Sequence, residues 1–390
     1  MNYATALDVG RRKRQQGRIN EDSVAVNLLE DGHQDRHRTS GVFVVADGAG
    51  GSLAGDVASY VATVEVTRRL TDRLWSDRQL TDVIDAVESD GVGRPELNTA
   101  AVTDPLADAP DDAVHRYLET AIQGAHARLL EVIGDLSLQE AYSTVVAALV
   151  VGDRLHYAWV GDSRAYVVNV GEDRPPDQRV TTLTRDHSEV QHLLQQGAID
   201  EVEALVHEQG NRITRALGGP PSEDARTSTV EVDSASVPLF GDDVILLASD
   251  GLTDAFTGAT ELHREYREAA DQESVSDRIK DASVTTEDIR DVVMGEPTLQ
   301  AAADSFVSLA NERGGKDNLS LVLFREPGLD PAVSGSLPVR SYDADLEDVA
   351  SWETVKQPDS EHPNGSSASA EATRSDSTGF DVDAGDSPGG

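Results

Sequence analysis

"TVVAALVVGDRLHYAWVGDSRAYVVNV", residues 144–170, holds three apolar runs separated by Gly152-Asp153 and by Gly161-Asp162-Ser163. Short runs rich in Val, Leu, Tyr and Trp between Gly and Asp punctuation read as strands, here Thr144–Val151, Arg154–Val160 and Ala165–Val170. Two residues at Gly152-Asp153 make the first connection a hairpin. Val24–Leu29, Val42–Ala46, Asp243–Ser249 and Leu319–Phe324 are further strand candidates. A helix is expected after the small residues Gly48, Ala49, Gly50 and Gly51, capped by Ser52, with Leu53, Val57, Val61, Val64, Leu70 and Leu74 along one face. A second runs from about Asp111 to Ile133 on the stripe Leu118, Ile122, Leu129, Ile133. Strands dominate and βαβ alternation is scarce, so the fold class is α+β rather than a doubly wound parallel sheet.

Composition bounds the rest. The 390 residues suffice for one large domain or two average ones. There is no cysteine, hence no disulfide and no thiolate site. No apolar run approaches membrane-spanning length, and the basic cluster Arg11-Arg12-Lys13-Arg14 leads into polar residues, unlike a signal peptide. A cytoplasmic location and a monomer are expected. With 71 acidic against 33 basic residues the formal charge is −38, and lysine occurs only at 13, 280, 316 and 356. Such a surface repels nucleic acid and anionic membranes, so neither is an expected partner. An acid-rich, lysine-poor chain also suits a salt-accumulating cell, where ions screen the self-repulsion.

The folded domain is expected to span 1–325. An acidic Gly/Pro-containing insertion occupies about 76–110, and 326–390 reads as an acidic disordered tail with one weakly helical stretch at Asp345–Val355.

The chemistry-bearing pattern is carboxylates at strand ends beside Gly or Asn. Glu21 and Asp22 precede one strand and Asp47 ends another. Asp250 repeats that arrangement, Asp317 leads into the last strand, and Asp162 sits in a turn. Each alone is an ordinary turn residue. Together, converging carboxylates repel and protonate unless cations neutralise them. An oxygen-only donor set without cysteine, HExxH or a close HxH pair favours Mg²⁺ or Mn²⁺ over Zn²⁺. Two such ions about 3.5–4 Å apart are a standard device for displacement at phosphorus.

The ordered stretches RINEDS, VVADGAGG, STVVAAL, WVGDSRAY, LTRDHS, RITRALG, LLASDGL and GGKDNLSL resemble those of the metal-dependent protein phosphatases, the type 2C serine/threonine family. The likeness covers about residues 8–324, without the acidic insertion. It implies two packed antiparallel β-sheets flanked by helical pairs. It also implies hydrolysis of phosphoserine and phosphothreonine in phosphorylated protein substrates, with a binuclear Mn²⁺ or Mg²⁺ centre activating a bridging water. By resemblance, Asp47 bridges the two ions and Gly48 offers its carbonyl. Asp250 and Asp317 complete the first ion's ligands, and Asp22 with Glu21 serves the second. Asp162 with Asp250 matches a weaker third site, and Asn318 supports Asp317.

Two departures stand out. The family's phosphate-binding arginine has two candidates here, Arg18, one residue closer to the Glu-Asp pair than usual, and Arg14. A histidine that some relatives carry just after the Asp-Gly is Ala49 in this chain. The segment Arg185–Gly219 matches the one containing the family's flap. The competing readings are a catalytically inactive relative that binds a phosphoprotein or partner, and a phosphatase of small esters.

Overall fold

A strand that is apolar at every position, such as Val145–Val151, needs cover on both faces, and two layers supply it. The computed structural model describes residues 1–33, 36–49, 54–77, 87–88, 96–97, 109–172, 174–222, 224–254 and 256–332, all within one unit, Met1–Val355. Gly50 and Gly51, the cap Ser52, Leu53, most of the 76–110 insertion and the stretch Asp345–Val355 lie outside the described residues.

The chain begins with β1 (Asn2–Asp8), α1 (Arg11–Gln15), β2 (Ser23–His33), β3 (Arg36–Ala46), β4 (Gly48–Ala49) and α2 (Ala54–Asp77). A strand pair, β5 (Val87–Glu88) and β6 (Glu96–Leu97), comes before α3 (Asp111–Asp135). The central run is β7 (Ala141–Ser143), β8 (Val145–Val151), β9 (Arg154–Val160), β10 (Arg164–Asn169) and β11 (Val180–Thr182). Then come α4 (Glu189–Gln195), α5 (Glu201–Ala204), β12 (Leu217–Gly219), β13 (Asp233–Pro238) and β14 (Asp243–Ala248). Four helices, α6 (Ala259–Glu268), α7 (Gln272–Ala282), α8 (Thr286–Gly295) and α9 (Leu299–Arg313), lead to β15 (Leu319–Arg325).

Two five-stranded antiparallel sheets result, β1-β15-β14-β10-β11 and β13-β9-β8-β3-β2, with a small third sheet β12-β7-β4. The hairpin at Gly152-Asp153 pairs Val151 with Arg154, as expected. Strand alternation sorts each run between two cores. In β8, Val145, Ala147, Leu149 and Val151 face α2 and α3, while Val146, Ala148 and Val150 face the other sheet. Between the sheets, Phe43 of β3 stacks on Phe324 of β15 at 3.8 Å between ring centroids. The outer face of the first sheet packs on α8 and α9 through Ile289, Val293, Ala303 and Phe306. The layers are therefore helix, sheet, sheet, helix.

The α3 stripe is buried as read. The α2 stripe is displaced. Ala58, Ala62, Val66, Leu70 and Leu74 form the buried face, Val57 and Val61 are half-buried, and Val64 is 43% exposed. Alanines allow α2 to pack closely on the sheet and α3, and a hydropathy pattern that favours valine over alanine picks the neighbouring face. Packing also continues past residue 325: Leu329 lies against the inter-sheet core, and Gly241 N–H donates to Asp330 O at 2.9 Å.

Candidate active site

The register of the sheets gathers the strand-end carboxylates. Ser23 pairs with Ala46, so Asp22 and Asp47 leave β2 and β3 side by side. Ala248 pairs with Leu321, so Asp250 just beyond β14 meets the turn carrying Asp317 just before β15. Asp162 sits where the chain crosses from one sheet to the other, between β9 and β10. Five aspartates from five connections thus meet at one end of the sandwich.

Their charges are mutually unfavourable. Burial and the charge of Asp317 push Asp22 up to about 7, against the hydrogen bond from Ser249. Burial and the charges of Asp22, Asp250 and Asp317 raise Asp47 well above the carboxylate range. Burial with Asp162, Asp317 and Asp254 does the same to Asp250. Asp162 is pushed up to about 7 by burial and Asp186, opposed by Arg164. Glu21 Oε1, Asp22 Oδ1 and Asp250 Oδ1 are buried without a hydrogen-bond partner. Acceptors left in that condition cost about 1–3 kcal/mol each, more when ionised, unless a cation or donor meets them.

The surrounding contacts fix this geometry. Asp47 N–H donates to Thr144 Oγ1 at 3.0 Å, and Thr144 N–H returns to Asp47 O at 2.8 Å. Ser249 Oγ donates to Asp22 Oδ2 at 2.8 Å. Asn318 is fully buried. Its Oδ1 accepts from Glu21 N at 3.0 Å, its Nδ2 donates to Val9 O at 2.9 Å, and its own N–H donates to Asp317 Oδ1 at 2.7 Å. Gly48 has to be glycine, because a Cβ there would collide with the carbonyl oxygens of Gly55 and Glu21. Around Asp162, His187 Nδ1 accepts from Gly161 N at 3.1 Å, and Asp186 takes Arg164 in a two-pronged pair at 2.8 and 2.7 Å. The LTRDHS stretch is therefore the brace of the Asp162 turn.

The basic residues fall differently from the sequence reading. Arg14 pairs with Asp8 Oδ2 at 2.5 Å. Arg18 Nη2 stands 3.8 Å from Glu21 Oε2 and is 46% exposed. Lys13, which sequence reasoning missed inside the run RRKR, enters the cluster. Its Nζ pairs with Asp317, donates to Asn318 Oδ1 at 3.1 Å and lies 3.8 Å from Glu21 Oε2. Burial lowers its pKa, but Asp317, Asp47 and Glu21 outweigh that and raise the ammonium above its ordinary value. The available signal was Gly10: at φ 77, its Cα sits against the Asp317 carbonyl and starts α1 so that Lys13 turns inward. Asp254, paired with Lys316 Nζ at 2.5 Å, was also missed. Ala49 is exposed and offers no proton donor. A cleft of about 600 Å³ opens beside the cluster, lined by Arg12, Asp162, Asp250, Asp254 and Lys316 among others.

The chain is similar to known protein phosphatases. The serine/threonine phosphatase stp of Listeria innocua serovar 6a is 28% identical over 283 residues, 72% of this chain and 83% of the relative. Protein phosphatase PhpP of Streptococcus pneumoniae serotype 2 is 26% identical over 286 residues, 72% of this chain and 84% of its own. The crystal structure of serine/threonine phosphatase Stp1 from Staphylococcus aureus shares the fold at TM-score 0.54 and 24% identity, covering 84% of this chain and 95% of that one. The family model described as protein phosphatase 2C matches residues 9–282, which hold Glu21, Asp22, Asp47, Asp162 and Asp250, while Asp317 lies beyond the matched span. With that match over most of its length, the chain belongs to the protein phosphatase 2C family and is an enzyme, a protein phosphatase.

Proposed function

We propose that this protein hydrolyses phosphoserine and phosphothreonine in other proteins with the help of two hard divalent cations, Mn²⁺ or Mg²⁺, at the strand-end carboxylates. The observation that carries the reading is the set of buried oxygens without partners, Glu21 Oε1, Asp22 Oδ1 and Asp250 Oδ1, amid side chains whose charges repel. An all-oxygen donor set fits these ions. Asp47 with the Gly48 carbonyl, Asp250 and Asp317 would hold one ion, and Asp22 with Glu21 the other. Asp162 and Asp250 would hold a weaker third. Such ions polarise phosphoryl oxygens and supply a water nucleophile at neutral pH.

The chain's own groups do the positioning. Lys13, paired with Asp317 inside the carboxylate cluster, fits a phosphate contact there better than Arg14, which Asp8 holds outside it. Arg18, half-exposed at the rim, fits an approaching phosphate as a second contact. Asn318 holds Glu21, Asp317 and Lys13 in one frame. The cleft beside Asp162, about 600 Å³ in volume, has room for a peptide side chain bearing phosphate. An inactive binding module has no support from the carboxylates, since every expected one is present and gathered.

The test is phosphate release from a phosphothreonine peptide by the full chain, before and after chelation and with Mn²⁺ restored. Activity should vanish on chelation and return with Mn²⁺, and Asp47→Asn should lower turnover at least about 100-fold if one carboxylate serves both ions. Undiminished turnover after exhaustive chelation, or in Asp47→Asn, would overturn the reading.

A further inference from the structure

We propose that Glu203, His207 and His263 form a second, separate metal site, for a borderline transition ion of the zinc class, that fastens the Arg185–Gly219 segment to α6. One ligand atom from each of the three lies within 4.8 Å of the others. Glu203 is on α5, whose first turn is capped by Asp200 Oδ1 accepting from Glu203 N at 2.8 Å. His207 follows four residues later, and His263 comes from α6. His263 Nε2 and Glu203 Oε1 are 3.0 Å apart, and the rings of His207 and His263 are centred 4.9 Å from one another.

The donor chemistry differs from that of the carboxylate centre. Two imidazoles and one carboxylate suit Zn²⁺, Co²⁺ or Ni²⁺ and leave a fourth position for water, whereas Mg²⁺ prefers oxygen donors alone. Zinc bonds of about 2.0–2.2 Å place tetrahedral ligand atoms roughly 3.5 Å apart, so only a small closure completes the site. Most of the ordering is already done. The side chains of His263 and Glu203 are only 10% and 12% exposed. Tyr266 Oη donates to Asp200 Oδ2 at 2.9 Å, and Val206, Phe256, Tyr266, Val275 and Ile279 form an apolar cluster beneath. Burial and the neighbouring His263 lower the pKa of His207, favouring the neutral ring that binds metal.

Three contacts compete with the ion, the first being the His263 Nε2–Glu203 Oε1 bond itself, which the ion replaces. Arg267 Nη1 donates to Glu203 Oε1 at 3.1 Å, but that side chain is 63% exposed and free to swing away. His207 Nδ1 accepts from Gln209 N at 3.2 Å, a bond that metal on either ring nitrogen ends. His207 and Glu208 also line the cleft shared with Asp162 and Asp250. An ion there fixes one wall of the substrate entrance and so acts on KM more than on kcat.

The test uses the full chain with Asp47→Asn in all samples, to weaken competition from the carboxylate centre. Equilibrium dialysis against Zn²⁺ and the visible absorption of bound Co²⁺ are compared with and without His207→Ala. His207 is partly exposed and lies outside the apolar cluster, so its loss leaves the cluster of Val206, Phe256, Tyr266, Val275 and Ile279 intact. The expected result is one fewer zinc per chain with His207→Ala. An affinity drop of at least about 100-fold at that site is expected, beyond the 10–100-fold typical of a lost outer partner. The intense cobalt bands of a low-coordinate imidazole site should disappear with it. Glu203→Gln, which retains a hydrogen-bond acceptor for His263, serves as the second variant and should show the same loss. Equal zinc stoichiometry and equal cobalt spectra with and without these substitutions would overturn the proposal, zinc bound at the carboxylates alone included.

Discussion

The cost of burying Asp22, with the charge of Asp317 nearby, is measurable as stability when Asp22→Asn is studied in the chelated protein. Asp22 is held at about 7 in the fold against an ordinary 3.8. Its folded pKa is raised, so between those values the folded state binds more protons than the unfolded state, and stability falls as pH rises. At about 1.4 kcal/mol per pH unit, ionising Asp22 at pH 8 costs the metal-free fold about 4 kcal/mol. Asn carries no such cost, and it still offers an oxygen to the Ser249 hydroxyl that donates to Asp22 Oδ2 at 2.8 Å. The variant should therefore match the parent near pH 4 and exceed it by about 4 kcal/mol at pH 8. Histidines such as His156, pushed down to about 4 by burial, pull stability the opposite way over this range. They are common to both chains and cancel in the difference. Urea unfolding in EDTA and molar KCl, followed by fluorescence of the buried Trp159 among others, gives that difference at each pH. Saturating Mn²⁺ should reverse its sign, because the ion then needs the carboxylate. A difference that stays within about 1 kcal/mol from pH 4.5 to 8 would refute the account of a site built at the expense of the empty fold.

Asn318→Ala removes the acceptor of Glu21 N, which is buried, and the donor to Val9 O, which is partly buried, and should cost about 2–5 kcal/mol by urea unfolding; a loss under 1 kcal/mol would show that neither contact matters. With a formal charge of −38, the protein should melt at higher temperature as KCl rises toward molar, where the screening length falls to about 3 Å; a flat or falling curve at fixed Mn²⁺ argues against adaptation to salt. Truncation after Ala332, which keeps Leu329 in the core and Ala332 N–H on Asp242 Oδ1 at 2.9 Å, should leave peptide phosphatase activity within about two-fold, because the removed acidic stretch cannot bury enough apolar surface to build the cleft; a ten-fold loss of kcat/KM would show that it contributes.

Much of this was legible in the sequence because the inter-sheet strands carry their own signal. Arg154–Val160 has the observed boundaries and most of the other central strands differ by a single residue at an end, while β3 begins at Arg36, six residues before the expected Val42. The carboxylates were legible because each ends or begins such a strand. Edge strands were legible only in part: β2 was found through Val24–Leu29, but β1 and β13 were not. In β1, Tyr3 and Leu7 are about half exposed, and β13 reads DSASVP, so neither has an apolar run to find. Lys13 was hidden because its role depends on a backbone turn at Gly10 and on a contact with residues about 300 positions away. The Glu203, His207 and His263 grouping was hidden for the same reason, since no local spacing joins His263 to the other two.

The bond between Glu21 N and Asn318 Oδ1 spans 297 residues, and Ser249 reaches back 227 residues to Asp22. Both sheets therefore have to be complete before the carboxylates meet. During synthesis, a nascent chain that has not yet released β15 holds Asp22 and Asp47 without Asp317 and its neighbours. Contacts closed over such distances form late and slowly. The carboxylate end of the sandwich is thus completed only when the final strand docks, and on the proposed function an unfinished chain would be silent toward phosphoproteins until then.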